Sequence, residues 1–138
     1  QVLDWLPIHH YTLADVWHVL GYSLSELVAL QNRYAISDPK IQRKMEQAFT
    51  AHVAYLRGNN RVSCALCPLA NKNDLANGAR YNPGLFRELV EIEITSGFSF
   101  QHKRWLADFA PELLTADQRQ RLAQVRNTEH QPQQLALF

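Results

Sequence analysis

A chain of 138 residues, 46% hydrophobic and 20% charged, has the balance of a globular domain with a real core and not of a disordered segment. Its net charge of +1 excludes the strong overall field of a general nucleic-acid binder, and two cysteines exclude the multi-bridge framework of a small secreted domain. With no leader-like start and no apolar run near the ~20 residues that cross a bilayer, a reducing, cytoplasmic setting without a membrane partner is expected.

After Gln1 the chain runs directly into VLDWLPI, an apolar stretch that reads as the continuation of something longer. Thr12 then precedes LADVWHVL, where Leu13, Val16, Trp17 and Leu20 recur at helical spacing until Gly21 supplies a stop. Ser25 is the expected cap of a second helix over ELVALQNRYA. Ser37 or Asp38, followed by Pro39, opens a third that is expected to run through about Leu56, with Ile41, Met45, Ala48, Phe49 and His52 on one stripe. From Gly58 to Ser63 the signal is that of a turn.

Beyond the cysteines, Asn73 or Asp74 is expected to cap a short helix over DLANGAR. Asn82 and Pro83 open PGLFRELVEIEITS, which Gly97 closes, with Leu85, Leu89, Ile92, Phe86 and Val90 expected on its buried side. Thr115 with Gln118 matches a capping box ahead of a polar helix to about Thr128. The expected organisation is a mostly α, compact helical domain over residues 1–128 and a polar tail over 129–138, with no strand pair.

Both cysteines, Cys64 and Cys67, lie in RVSCALCPLANKNDL. Two intervening residues let both sulfurs reach one zinc ion or iron–sulfur cluster from a tight turn, but they supply only half of a four-ligand set. Spacing alone leaves three readings open: a metal half-site, a redox dithiol and two inert thiols. His52 and His9 are the in-chain histidines to consider as further ligands; the His9–His10 doublet also reads as a polar entry to the first helix.

The cysteines sit in a locally basic segment, since Arg57, Arg61, Lys72 and Arg80 are opposed by Asp74 alone between residues 57 and 80. That segment suits a bound anion, with Arg61 and Lys72 as donors helped by backbone N–H groups near Gly58, or else a solvated surface. No phosphate-binding Gly-rich loop and no nucleophile elbow are present in the sequence.

Three blocks in order, WLPIHHYTLADVW, HVAYLRGNNRVSCALC and NKNDLANGARYNPGLFRELVEIEITSGFSF, resemble the C-terminal part of the phosphoadenosine phosphosulfate (PAPS) reductase family, in its phage and genomic-island form. The resemblance spans about Trp5 to Phe100. It implies the C-terminal part of a larger α/β protein related to the adenine-nucleotide alpha-hydrolases and ATP pyrophosphatases, with an N-terminal nucleotide-binding domain as partner and an adenylyl nucleotide as its ligand. Asp15-Val16-Trp17 matches the family's signature helix, which packs beside that domain.

The block of Tyr55, Gly58, Arg61, Cys64 and Cys67 matches the segment that closes over the sulfonucleotide or sulfur-transfer site. In relatives that transfer sulfur to DNA, similarly placed cysteines hold an iron–sulfur cluster with cysteines from elsewhere in the protein. Dedicated PAPS reductases carry a catalytic cysteine in a C-terminal Glu-Cys-Gly-Leu-His stretch, which LALF does not match. The resemblance therefore implies a sulfur-transfer or nucleotide-activating enzyme, inactive as this chain alone, in preference to a thioredoxin-linked reductase. The alternative from the residues is a zinc- or cluster-stapled helical module that binds nucleic acid or a partner protein. An apolar face left without the nucleotide domain, including Trp5, Leu6, Ile8 and Trp17, is expected to favour a homo-oligomer.

Overall fold

The computed structural model describes residues 9–128, and they are mostly α-helical. The chain divides into two compact units, Gln1–Val62 and Ser63–Phe138. Among the described residues there is no strand, only an isolated bridge between Gln101 and Arg104, and no helix is long and apolar enough to cross a membrane.

In the first unit α1 (Leu13–Val19) begins at Thr12, whose backbone N–H donates to Asp15 Oδ2 at 2.7 Å while its Oγ1 accepts from the Asp15 N–H at 3.2 Å. This reciprocal pair satisfies two donors that a helix start otherwise leaves open. The cap of α2 (Leu24–Ile36) is Ser23 and not Ser25. Only Ser23 has a carboxylate three residues on, and Glu26 Oε2 accepts from its N–H at 2.7 Å. Residues Trp5, Leu6 and Ile8 lie outside the described part.

The third helix, α3 (Pro39–Ala48), starts at Asp38 as the sequence suggests but ends eight residues before Leu56. Tertiary contacts break it. Phe49 turns extended (ψ 125°) to place its ring 5.1 Å from that of Tyr22, and Thr50 Oγ1 donates to the Leu20 carbonyl at 2.9 Å. A one-turn helix, α4 (Val53–Leu56), follows, with His52 Nδ1 accepting from the Ala54 N–H at 3.1 Å.

The buried residues of this unit are few: Trp17, Leu27, Tyr34 and Leu56. Trp17 is 5% exposed and meets Tyr55 edge-on at 4.9 Å, so it belongs to the core and not to an uncovered face. The large apolar residues that α1 and its C-cap turn outward are Leu13, Val16, Val19 and Leu20. Polar bonds supplement so small a core. Tyr34 Oη donates to Glu46 Oε1 at 2.6 Å, Arg57 donates to the same oxygen at 3.2 Å, and Gln31 donates to the Tyr55 carbonyl at 2.8 Å. The Tyr34 hydrogen bond, with Arg57, holds the Glu46 carboxyl below its usual pKa.

The second unit contains α5 (Lys72–Tyr81), α6 (Pro83–Ser96) and α7 (Ala116–Thr128), with two 3₁₀ turns, Leu106–Asp108 and Pro111–Leu113, between the last two helices. The helix α6 has the bounds read from Pro83 and Gly97, and Gly97 closes it at φ 74° in the left-handed region that favours glycine. Its buried residues are Phe86, Val90, Glu93 and Ile94, whereas Leu89 is half-buried and Leu85 and Ile92 are exposed. The helix is thus rotated from the all-apolar stripe, because a carboxylate takes a core position.

Glu93 is 2% exposed, and its Oε1 accepts from the backbone N–H groups of Phe100 and Leu106, each at 2.7 Å. One oxygen thereby ties the segment after α6 back onto the helix. Its Oε2 is buried without a hydrogen-bond partner among the described residues. The box at Thr115 forms as expected, with the Gln118 N–H donating to Thr115 Oγ1 at 3.1 Å. Gln118 is itself buried and its amide donates to the Arg87 carbonyl at 3.1 Å and to Glu91 Oε1 at 2.9 Å, joining α7 to α6.

Burial raises the Glu93 pKa above its usual value near 4.5, and the backbone donors of Leu106 and Phe100 offset this only in part. Between the unfolded and folded pKa values the folded state holds the proton more tightly, so this group's contribution to stability falls as pH rises through that window. Glu93→Gln is expected to remove that component of the pH slope, and Glu93→Ala to cost about 2–4 kcal/mol by leaving two buried N–H groups without an acceptor. Urea unfolding followed at the Trp105 indole resonance between pH 4 and pH 8, a range of about four units around the carboxyl and imidazole values, measures both.

Candidate functional site: the Cys64–Cys67 loop

The segment from Ser63 to Ala70 has no regular secondary structure, yet it is anchored at three places. Leu66 and Ala70 are buried in the core of the second unit, and half-buried Cys67 packs against that core. The Cys67 carbonyl accepts from the Ala70 N–H at 2.8 Å, closing a turn. From the other side Gln101 donates to the carbonyls of Pro68 and Ala70 at 2.7 and 2.8 Å.

The third anchor is a backbone approach. A Cβ placed on Gly78, in the middle of α5, would collide with the carbonyl oxygen of Ala65 and lie 3.0 Å from its carbonyl carbon. Only glycine lets the helix and the loop come this close. The start of α5 is set by Asn71 and not by Asn73 or Asp74: Asn71 Oδ1 accepts from the Asp74 N–H at 2.9 Å, and Asn71 Nδ2 donates back to the Asp74 carboxylate at 3.2 Å. Asn71 has the required acid three residues on.

Both thiols are free; Cys64 is exposed and Cys67 half-buried. Two thiols in one anchored turn, one of them open to solvent, fit two positions of a four-ligand zinc or iron–sulfur site. Among the described residues no group of three His, Cys, Asp or Glu side chains is arranged to hold a metal. His52 and His9 belong to the first unit, where His52 caps α4 and His9 meets the His10 ring edge-on at 5.3 Å.

The anion candidates divide in the same way. Tyr55, Gly58 and Arg61 follow one another around the turn that leaves α4, in the first unit, whereas Lys72 is the exposed first residue of α5 in the second. Gly58 has φ 83° and its N–H donates to the Tyr55 carbonyl at 3.0 Å, so this glycine makes the turn that precedes exposed Arg61.

Gln101 and Gly78 support the loop without having drawn attention as site residues. For Gly78 a signal exists, because a glycine inside a helix costs ~1 kcal/mol relative to alanine and so marks a close approach. For Gln101 there is none, since the amide acts on carbonyls more than thirty residues away in sequence. No family model, curated protein or solved structure matches the chain.

Replacing Gly78 by alanine is expected to push α5 and the loop apart, to cost about 2 kcal/mol or more and to raise the reactivity of the Cys67 thiol. Gly84, near the start of α6, has no neighbour within 4 Å of an added Cβ. Gly84→Ala should therefore be neutral or stabilise by about 0.4–1 kcal/mol without changing thiol reactivity. Thermal melts and the rate of reaction with a chromogenic disulfide compare the two variants.

Proposed function

We propose that this chain is the helical C-terminal portion of a PAPS-reductase-like sulfonucleotide or sulfur-transfer enzyme, in which Cys64 and Cys67 provide two ligands of a zinc or iron–sulfur site. The observation that carries this reading is the anchored Cys64–Cys67 loop, with one thiol exposed and no third ligand grouped with it among the described residues. A turn held by Gln101, by Gly78 and by the burial of Leu66 presents two cysteine side chains with little conformational freedom, which favours ligation over an adventitious pair. The remaining ligands come from the longer protein.

In that assembly Arg61, with Tyr55 and the turn at Gly58, receives the anionic part of an adenylyl nucleotide. Arginine suits the task because its guanidinium is always charged and forms two parallel hydrogen bonds to a sulfate or phosphate. The outward apolar residues of α1 and its C-cap, Leu13, Val16, Val19 and Leu20, are the surface that meets the N-terminal nucleotide-binding domain. Where bound, the metal centre supplies thiolate-ligated redox or sulfur chemistry. The chain's own contribution is to orient two thiolates and to neutralise the nucleotide's charge.

The test uses the full reading frame with the upstream domain, purified without oxygen. Stoichiometric iron or zinc that is lost in both Cys64→Ser and Cys67→Ser is the expected result. Metal-free protein, or a reading frame lacking a Ser-Gly-Gly-x-Asp-Ser phosphate loop, overturns the proposal. In the same protein Arg61→Ala is expected to weaken nucleotide binding by about 1.5–3 kcal/mol while leaving the metal content unchanged. The isolated 138-residue chain should turn over neither ATP nor PAPS.

A further inference from the structure

A cleft of about 470 Å³ lies wholly within the first unit, between α2 and α3. Such a volume falls in the range that takes a small organic molecule, roughly 300–1,000 Å³. The cleft is lined on one side by the rings of Tyr22 and Phe49, whose centroids are 5.1 Å apart and tilted by 38°, with Met45 and the fully buried Leu56 beside them. Aromatic rings and a thioether form a polarizable apolar wall that favours a flat ring.

Two cations, Arg33 from α2 and Lys44 from α3, line the same cleft. Neither forms a salt bridge with another described residue. The acids of the two helices are engaged elsewhere. Glu26 accepts from the Ser23 N–H and Oγ at 2.7 and 2.8 Å and lines an adjoining depression that also includes Arg33, while Glu46 accepts from Tyr34 and Arg57. Lys40 and Arg43 add further positive charge to α3. An apolar recess with two available cations and no available acid has the complement of a molecule with an aromatic body and a negative head.

The geometry points to a binding site for a small aromatic organic anion, a carboxylate or sulfonate, whose ring enters beside Tyr22 and Phe49 and whose charge is met by Arg33 and Lys44. This site is independent of the cysteine loop, which belongs to the other unit.

Calorimetric titration of the 138-residue chain at low salt with 2-naphthoate and its neutral isostere naphthalene-2-carboxamide tests the assignment. The expected result is one naphthoate per chain, a carboxamide at least about tenfold weaker, and a loss of about tenfold or more in each of Arg33→Gln and Lys44→Gln. Ala48→Trp, at an exposed lining position, should fill the cleft and abolish binding, whereas Cys64→Ser should leave it unchanged. Because Arg33 and Lys44 are exposed, their variants keep the fold and decide the matter even if Ala48→Trp does not. Equal affinity for acid and amide, or wild-type affinity in both charge variants, overturns the proposal. So does an acidic aromatic peptide that binds where naphthoate at millimolar concentration does not, since the cleft is then a protein-docking surface.

Discussion

The carbonyl of Ala65 rests against the backbone of Gly78, and the second unit is arranged around that approach. It sets the distance between α5 and the cysteine loop, which in turn lets Leu66 and Ala70 reach the core and brings the Pro68 and Ala70 carbonyls within reach of Gln101. A loop without secondary structure has many backbone polar groups to satisfy, and burying any of them unpaired costs about 1–3 kcal/mol. Here a side-chain amide and a turn meet that requirement. The result is a cysteine pair displayed on an irregular segment that is nonetheless held in place.

Glu93 performs a related task at the far end of α6. Its carboxylate sits where the periodicity calls for a leucine, and it does so because the segment from Phe98 to Leu106 brings two N–H groups, those of Phe100 and Leu106, that no helix or strand satisfies. Two charge-assisted hydrogen bonds offset part of the desolvation, and the second oxygen remains without a partner among the described residues. The same residue therefore shapes the chain and makes its stability depend on protonation. Polar groups take this structural role throughout the molecule: Gln118 joins α7 to α6, and the Tyr34, Glu46 and Arg57 cluster steadies the first unit.

The two units carry different chemistry. The first combines a small aromatic core with a basic apolar cleft and the turn bearing Arg61, and the second holds the thiols. The candidates read from one contiguous stretch, from Tyr55 to Lys72, thus fall on both sides of the division between Val62 and Ser63. Proximity in sequence groups Tyr55, Gly58 and Arg61 around one turn and Cys64 with Cys67 in another, because each set is local.

What the sequence by itself determined is what short-range chemistry controls. Thr12, Asp38, Pro83, Gly97 and the Thr115–Gln118 box set helix ends through groups three or four residues away or through their own backbone preferences, so those ends are legible. The predominance of helix follows for the same reason. The tertiary structure alone decided that α3 stops at Ala48, because the force that turns Phe49 out of the helix comes from Tyr22 and Leu20, nearly thirty residues earlier. It also decided that α6 buries Glu93 in place of Ile92, and that Gln101 clamps the cysteine loop. In each case the partner that stabilises the departure is distant in the chain, and local periodicity carries no record of it.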